Sequence, residues 1–263
     1  MRAIMKYLGP LMVSLPPARG LLPLALFLIA WQFIQPGPSP YFPGPVEWWT
    51  AGLGLAHRAD LLTAFMSTAS TFVIGLALAI VIGSIIGILM GVSPLVNRAL
   101  QPSLEFMRAI PPPATVPVAG LLIGYNEPMK LVVIVLAALW PILLNTSSAV
   151  RQIDPLLLDV ARSFRLSVWE KTWRITVPSV VPALLLGIRV AIPLTIILAL
   201  LVEMLTSLPG IGALMIQSQR NFQSSEVYAL LILIGLFGFL VNDVFLLIET
   251  FILRRWPPRV NTP

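Results

Sequence analysis

From Thr63 to Met90 the chain runs 28 residues without one charged side chain. A bilayer core needs about 20 consecutive apolar residues to be crossed by a helix, so this stretch constrains the fold more than any other. Comparable runs follow at Leu131 to Thr146, Ser179 to Leu205 and Val227 to Leu253. Two weaker ones are Leu21 to Gln35, which is short, and residues 109–124, which are broken at their start by Pro111, Pro112, Pro113 and Pro117. Charged residues make up 11% of the chain, against roughly 25% in soluble domains. The expected fold class is therefore all-α: a polytopic membrane protein with six transmembrane helices near 21–35, 63–90, 109–124, 131–147, 179–205 and 227–253.

The basic residues orient those spans. With a cytoplasmic N-terminus, thirteen of the 17 Lys and Arg residues fall on the cytoplasmic side. Only Arg58, Lys130 and Arg220 fall on the other, and Arg189 lies inside the fifth span. That positive-inside bias explains the net charge of +6 without nucleic acid. The absence of cysteine excludes disulfides and thiol catalysis, and the single His57 argues against a histidine metal or acid–base site. Residues 1–20 read as a basic, kinked cytoplasmic leader and 257–263 as a cytoplasmic tail. A signal-peptide core at Leu21 to Gln35 would need a small-x-small cleavage site, which does not follow. Pro36 to Pro45 belongs outside the hydrocarbon, and Val46 to Leu62 reads as an interfacial helix. Trp31, Trp48, Trp49, Trp140 and Trp256 are expected to be interface anchors. Gly83, Gly87 and Gly91 fall on one helix face and predict close packing inside the molecule rather than a dimer seam. Ser93 to Arg108, Tyr125 to Lys130 and Ser207 to Glu226 read as polar turns. No internal repeat or second domain is visible.

The longest polar interval is Arg151 to Pro178, which carries Arg151, Arg162, Arg165, Lys171 and Arg174. Apolar residues at helical spacing (Leu158, Ala161, Phe164; then Trp169, Trp173) predict two short amphipathic helices. A folded basic segment between two spans suggests a docking surface for a soluble partner.

The same interval resembles the cytoplasmic coupling motif of binding-protein-dependent ABC importer permeases: Glu-Ala-Ala, three residues, Gly, nine residues, Ile-x-Leu-Pro. Asp159, Val160 and Ala161 occupy the first three places, Arg165 the glycine place, and Ile175, Val177 and Pro178 the closing ones. Arginine does not reach positive φ as cheaply as glycine, so either the turn is built differently or the surface is altered and gains a charge. The resemblance covers roughly residues 63–256 and is nearest the nitrate, sulfonate and taurine branch. It is carried further by Arg108-Ala-Ile-Pro-Pro-Pro-Ala, by Gly124, Glu127 and Lys130, and by Pro141 with Asn145-Thr146. Gly187-Ile188-Arg189, Glu203, Gly210-x-Gly212 and Asp243 also fall at similar places.

The resemblance implies one permease domain over 21–256, with a coupling loop at 150–178 between helices 4 and 5, in a bacterial inner membrane. It implies a subunit that forms the solute path by alternating access and docks on a cytoplasmic ATPase dimer. Its further partners would be a second copy or a sister permease, an extracytoplasmic solute-binding protein and the lipid bilayer. The chain has no Gly-x-x-x-x-Gly-Lys-Ser/Thr loop, so it is not expected to be an enzyme or to hold a cofactor, ATP-Mg residing in the partner. The solute would be small and anionic: nitrate, an alkanesulfonate or taurine, or an aromatic acid, with pyrimidine precursors also in range. The ATPase-coupling residues would be Asp159, Ala161, Arg162, Phe164, Arg165, Trp169 and Pro178. Path or gating candidates are Arg108, Pro111, Pro112, Pro113, Asn145, Thr146, Arg189 and Glu203. Several have a second reading. Arg189 could snorkel or pair with a loop acid, Glu203 and Asp243 could cap or pair, and Asn145 and Thr146 could bond between helices. The rival classes are an ion-gradient-driven secondary transporter, which usually shows an inverted repeat, and an intramembrane enzyme, which needs a nucleophile–base pair or metal ligands.

Overall fold

The computed structural model describes residues 18–34 and 41–255. Eleven α-helices are described: α1 Ala18–Ile34, α2 Pro45–Ala56, α3 Ala59–Val92, α4 Pro94–Ala109, α5 Pro112–Ile123, α6 Glu127–Arg151, α7 Pro155–Ser163, α8 Val168–Lys171, α9 Val177–Thr206, α10 Ile211–Arg220 and α11 Ser224–Arg255. A π-helical turn, Thr172–Thr176, joins α8 to α9. No strand occurs among the described residues. Four helices are long and apolar enough to cross a bilayer: α3, α6, the continuous Val168–Thr206 rod and α11. Residues 1–17 of the leader, the 257–263 tail, Trp256 and the segment 35–40 lie outside the described residues.

The two weaker expected spans take other forms. The first is the shorter apolar helix Leu22–Ile34. The third is no straight span, because α4 and α5 form a pair bent by 100°. Ile110 is extended (φ −74°, ψ 123°), as a residue before proline prefers. Pro111 caps α5, and Pro112 and Pro113 occupy its first turn, where no backbone N–H is required. The proline run thus starts a helix at little hydrogen-bond cost rather than breaking one. The expected polar turn at 93–108 is instead the amphipathic helix α4, capped by the Ser93 hydroxyl accepting from Val96 N at 3.4 Å. The turn at 207–226 likewise contains α10.

The described residues form two compact units. In the larger (59–216 and 233–255), α3, α6 and α9 pack most extensively on one another. Small residues let them close. A Cβ on Gly87 would lie 2.8 Å from the Leu143 carbonyl oxygen and from Thr146 Cβ, and one on Gly91 would overlap Val150. On α9, a Cβ on Gly187 would lie 2.9 Å from Ile142 Cα. The glycine face of α3 is therefore spent inside the molecule, as its spacing predicts. Gly87→Ala is expected to lower stability by about 1–3 kcal/mol through overpacking. Gly54→Ala, which meets nothing within 4 Å, should not. Thermal unfolding of the two purified variants in detergent makes the comparison, and equal melting would refute it.

In the smaller unit (18–34, 41–58 and 217–232), Trp31, Trp48 and Tyr228 form an aromatic cluster, with Trp48 stacked on Tyr228 at 5.0 Å. Trp48 is buried and its indole N–H donates to the Pro43 carbonyl at 2.9 Å, so it is a core residue rather than an anchor. Trp49 remains exposed.

Candidate functional site

At one end of the larger unit, α7 and α8 form the polar loop. The side chain of Asp154 caps α7 by accepting from Leu156 N at 2.9 Å. Its other end closes with Arg165 N–H donating to the Arg162 carbonyl (2.9 Å) and Leu166 N–H donating to the Ala161 carbonyl (3.0 Å), a Schellman arrangement. Arg165 holds the left-handed position that closure requires, at φ 51°. The turn is therefore not built differently; an arginine occupies the glycine conformation, at a cost of about 1 kcal/mol. Arg165→Gly is expected to slow amide exchange at Leu166 about fivefold, read by hydrogen–deuterium exchange. Faster exchange would mean that the arginine holds the turn.

α8 opens with a capping box between Ser167 and Glu170. The Ser167 backbone N–H and then its hydroxyl hold the Glu170 carboxyl below its ordinary value. The second short helix is not separate. It continues through the π turn into α9 as one helix of 39 residues, about twice what a bilayer core accommodates, so its polar start lies beyond the apolar run.

Burial sorts the loop residues. Ala161 is 2% exposed, and Leu158 packs on the cluster of Val150, Ile153 and Val180, so both seat α7 on its own protein rather than offer it to a partner. Phe164 (75%), Val168 (80%) and Trp169 (71%) are uncovered, with Trp173 edge-on to Trp169 at 5.5 Å. Asp159 and Arg162 pair at 3.1 Å on the exposed side, an interaction worth little by itself. Pro178 lies in the first turn of α9.

A second feature follows one face of α6. Val133, Ala137, Trp140, Leu144, Ser147 and Arg151 recur at spacings of three or four, a single helical stripe. Two clefts lie along it. The upper is apolar and lined from α4 and α5 by Met107, Ile110, Pro112 and Thr115. The lower is polar and includes Asn97, Gln101, Glu105 and Arg108. Trp140 lines both, so it stands between two clefts rather than at an interface. Of the path candidates, Arg108 and Pro112 lie here.

The others lie elsewhere. Asn145 donates to the Pro141 carbonyl of its own helix at 2.7 Å, and Thr146 is fully buried on the α3 side. Arg189 pairs with Glu249 of α11, a helix acid rather than a loop acid. Asp243 stands on the exposed face of α11. Glu203 is fully buried at the end remote from α7, where its carboxylate meets Lys130 Nζ at 2.9 Å and accepts from Thr68 Oγ1 (3.0 Å) and Gly212 N (2.9 Å). Lys130 Nζ also reaches Glu127 at 3.6 Å and donates to the Pro209 carbonyl at 3.2 Å. A Cβ on Gly210 would overlap the Glu203 carboxyl, which accounts for glycine there. This knot ties α3, α6, α9 and the start of α10. Its long-range pairings left no signal in periodicity.

Residues 79–256 match the family described as binding-protein-dependent transport system inner membrane component. The bicarbonate transport system permease protein CmpB of Synechococcus elongatus is 31% identical over 252 residues, 89% of this chain and 90% of that one. The nitrate import permease protein NrtB of Synechocystis is 28% identical over 246 residues, covering 87% and 86%. The putative aliphatic sulfonates transport permease protein SsuC of Bacillus subtilis is 27% identical over 239 residues, covering 90% and 87%. In fold, a chain of the inward-facing MetNI methionine ABC transporter superposes with a TM-score of 0.64 at 14% identity, over 73% of this chain and 95% of that one.

Proposed function

We propose that this chain, which belongs to the binding-protein-dependent transport system inner membrane components, is the transmembrane permease subunit of an ATP-driven importer for a small anion. One observation carries the coupling half of this reading: Phe164, Val168, Trp169 and Trp173 stand uncovered on a polar loop at the end of the long apolar helices. An exposed aromatic patch amid charges marks a docking surface. With no phosphate loop in the chain, a soluble ATPase dimer with its own ATP-Mg is the partner that surface suits. The positive-inside bias supports a position in the bacterial cytoplasm for the loop and both termini.

The solute path is assigned to the α6 stripe and the bent α4–α5 pair. From Val133 to Arg151 the stripe rises about 27 Å, nearly the thickness of a bilayer core. A second copy or a sister permease would complete the path, and an extracytoplasmic binding protein would deliver solute at the Glu203 end. The anion class rests on the bicarbonate, nitrate and sulfonate relatives and on the arginines at the lower cleft.

The test is mass spectrometry of what co-purifies with the full-length chain from its native membrane. An ATPase in amounts matching total permease is the expected result. No ATPase, under conditions that keep a control importer intact, would favour a gradient-driven transporter.

A further inference from the structure

We propose that the lower cleft is an anion-binding station, built to hold a small singly charged oxyanion between Arg108 and Arg151 with the Ser147 hydroxyl at its back. The cleft encloses about 110 Å³, room for an ion of a few heavy atoms and some water. Its polar residues do not form a closed network. Arg151 donates one guanidinium hydrogen to Asn97 Oδ1 at 3.0 Å, which turns the group toward α4 and leaves other N–H donors available. Asn97 donates to Gln101 Oε1 at 3.1 Å, and Gln101 donates to Glu105 Oε1 at 2.8 Å. The one carboxylate at the cleft is thus engaged with the amide chain. The Arg108 side chain makes no hydrogen bond or ion pair among the described residues. Ser147 is 1% exposed, lines the cleft, and its hydroxyl is buried without a hydrogen-bond partner.

A buried hydroxyl ordinarily finds a partner, and an oxyanion oxygen accepts from a hydroxyl and a guanidinium together. Two arginines against one glutamate leave the cleft net positive, which favours one negative charge over a dianion. Trp140 forms the wall toward the apolar cleft. An anion held here would be at the end of the stripe nearest the coupling loop, so its role as the last stop before release rests on the path assigned above. Its binding does not.

The experiment is isothermal titration of sodium nitrate into the full-length chain, co-purifying subunits retained, in nanodiscs of zwitterionic lipid. One saturable site per chain is expected. Arg108→Gln and Arg151→Gln should each weaken it at least tenfold and Ser147→Ala about threefold. The charge-keeping Arg108→Lys and Arg151→Lys should stay within about threefold, which separates a lost site from a misfolded chain. Arg98→Gln removes the same charge from the same helix outside the cleft and should change nothing. Three results would overturn the proposal. They are no saturable nitrate site, equal weakening by Arg98→Gln, or a tenfold loss when anionic phosphatidylglycerol is added at fixed ionic strength. The last would assign the cleft to lipid headgroup phosphates. Because binding is read without ATP, failure here leaves the co-purification result intact, and the converse holds.

Discussion

Lys130→Met is expected to lower the stability of the purified protein by about 3–5 kcal/mol, enough to remove most of it from the monodisperse fraction of a detergent extract. Lys130 and Glu203 are both fully buried, and among the described residues their ion pair is the only direct charge neutralisation either receives at close range besides Glu127. Removing the ammonium leaves the Glu203 carboxylate facing Thr68 and Gly212 N–H with no cation. Glu203→Gln should cost less, because the amide oxygen can still accept from Gly212. The double variant Lys130→Met/Glu203→Gln should be more stable than the sum of the single losses predicts, with a coupling of about 2 kcal/mol. Thermal unfolding of the four proteins in one detergent gives the cycle. If Lys130→Met melts within two or three degrees of the parent, the knot does not hold the helices together.

The second large effect is expected at the loop. Phe164→Ala and Trp169→Ala each remove a large aromatic from the exposed patch and should weaken ATPase association by about 2 kcal/mol, roughly thirtyfold, as central anchors of interfaces do. Asp159→Lys reverses one charge beside Arg162 on the same helix and should uncouple solute transport from ATP hydrolysis while leaving the chain in the membrane. Proteoliposomes in which transport and hydrolysis are followed together distinguish these outcomes. Normal transport by both Phe164→Ala and Asp159→Lys would remove the coupling role from this loop.

The long helices were legible because length and the scarcity of charge signal them without reference to anything distant. The glycines at 83, 87 and 91 were legible for the same reason, since one helix periodicity defines their face. α4 was missed because Asn97, Arg98, Gln101 and Glu105 look like a turn when charge alone is counted. Its Ser93-Pro94 start was the available signal. α10 was hidden behind Pro209 and Gly210, which announce a turn but not the helix beyond it. The grouping of Thr68, Lys130, Glu203 and Gly212 was beyond local reading, because the partners lie up to 144 residues apart and only folding brings them together. Family resemblance had marked most of these places one by one without the reason for them. In the loop, spacing located both helices, but not which apolar residues turn inward; Ala161 and Phe164 share a pattern and have opposite fates.

The continuity of α8, the π turn and α9 has a mechanical consequence. Arg189, clasped to Glu249, comes 16 residues after Trp173 and 14 before Glu203. At 1.5 Å per residue those distances are about 24 and 21 Å, so the clasp sits close to the midpoint of a beam whose two ends are the exposed aromatics and the buried knot. One end of the beam is fixed to α3 and α6 by the knot, and the other stands uncovered. Displacement of the uncovered end is therefore resisted first by the clasp and then by the knot.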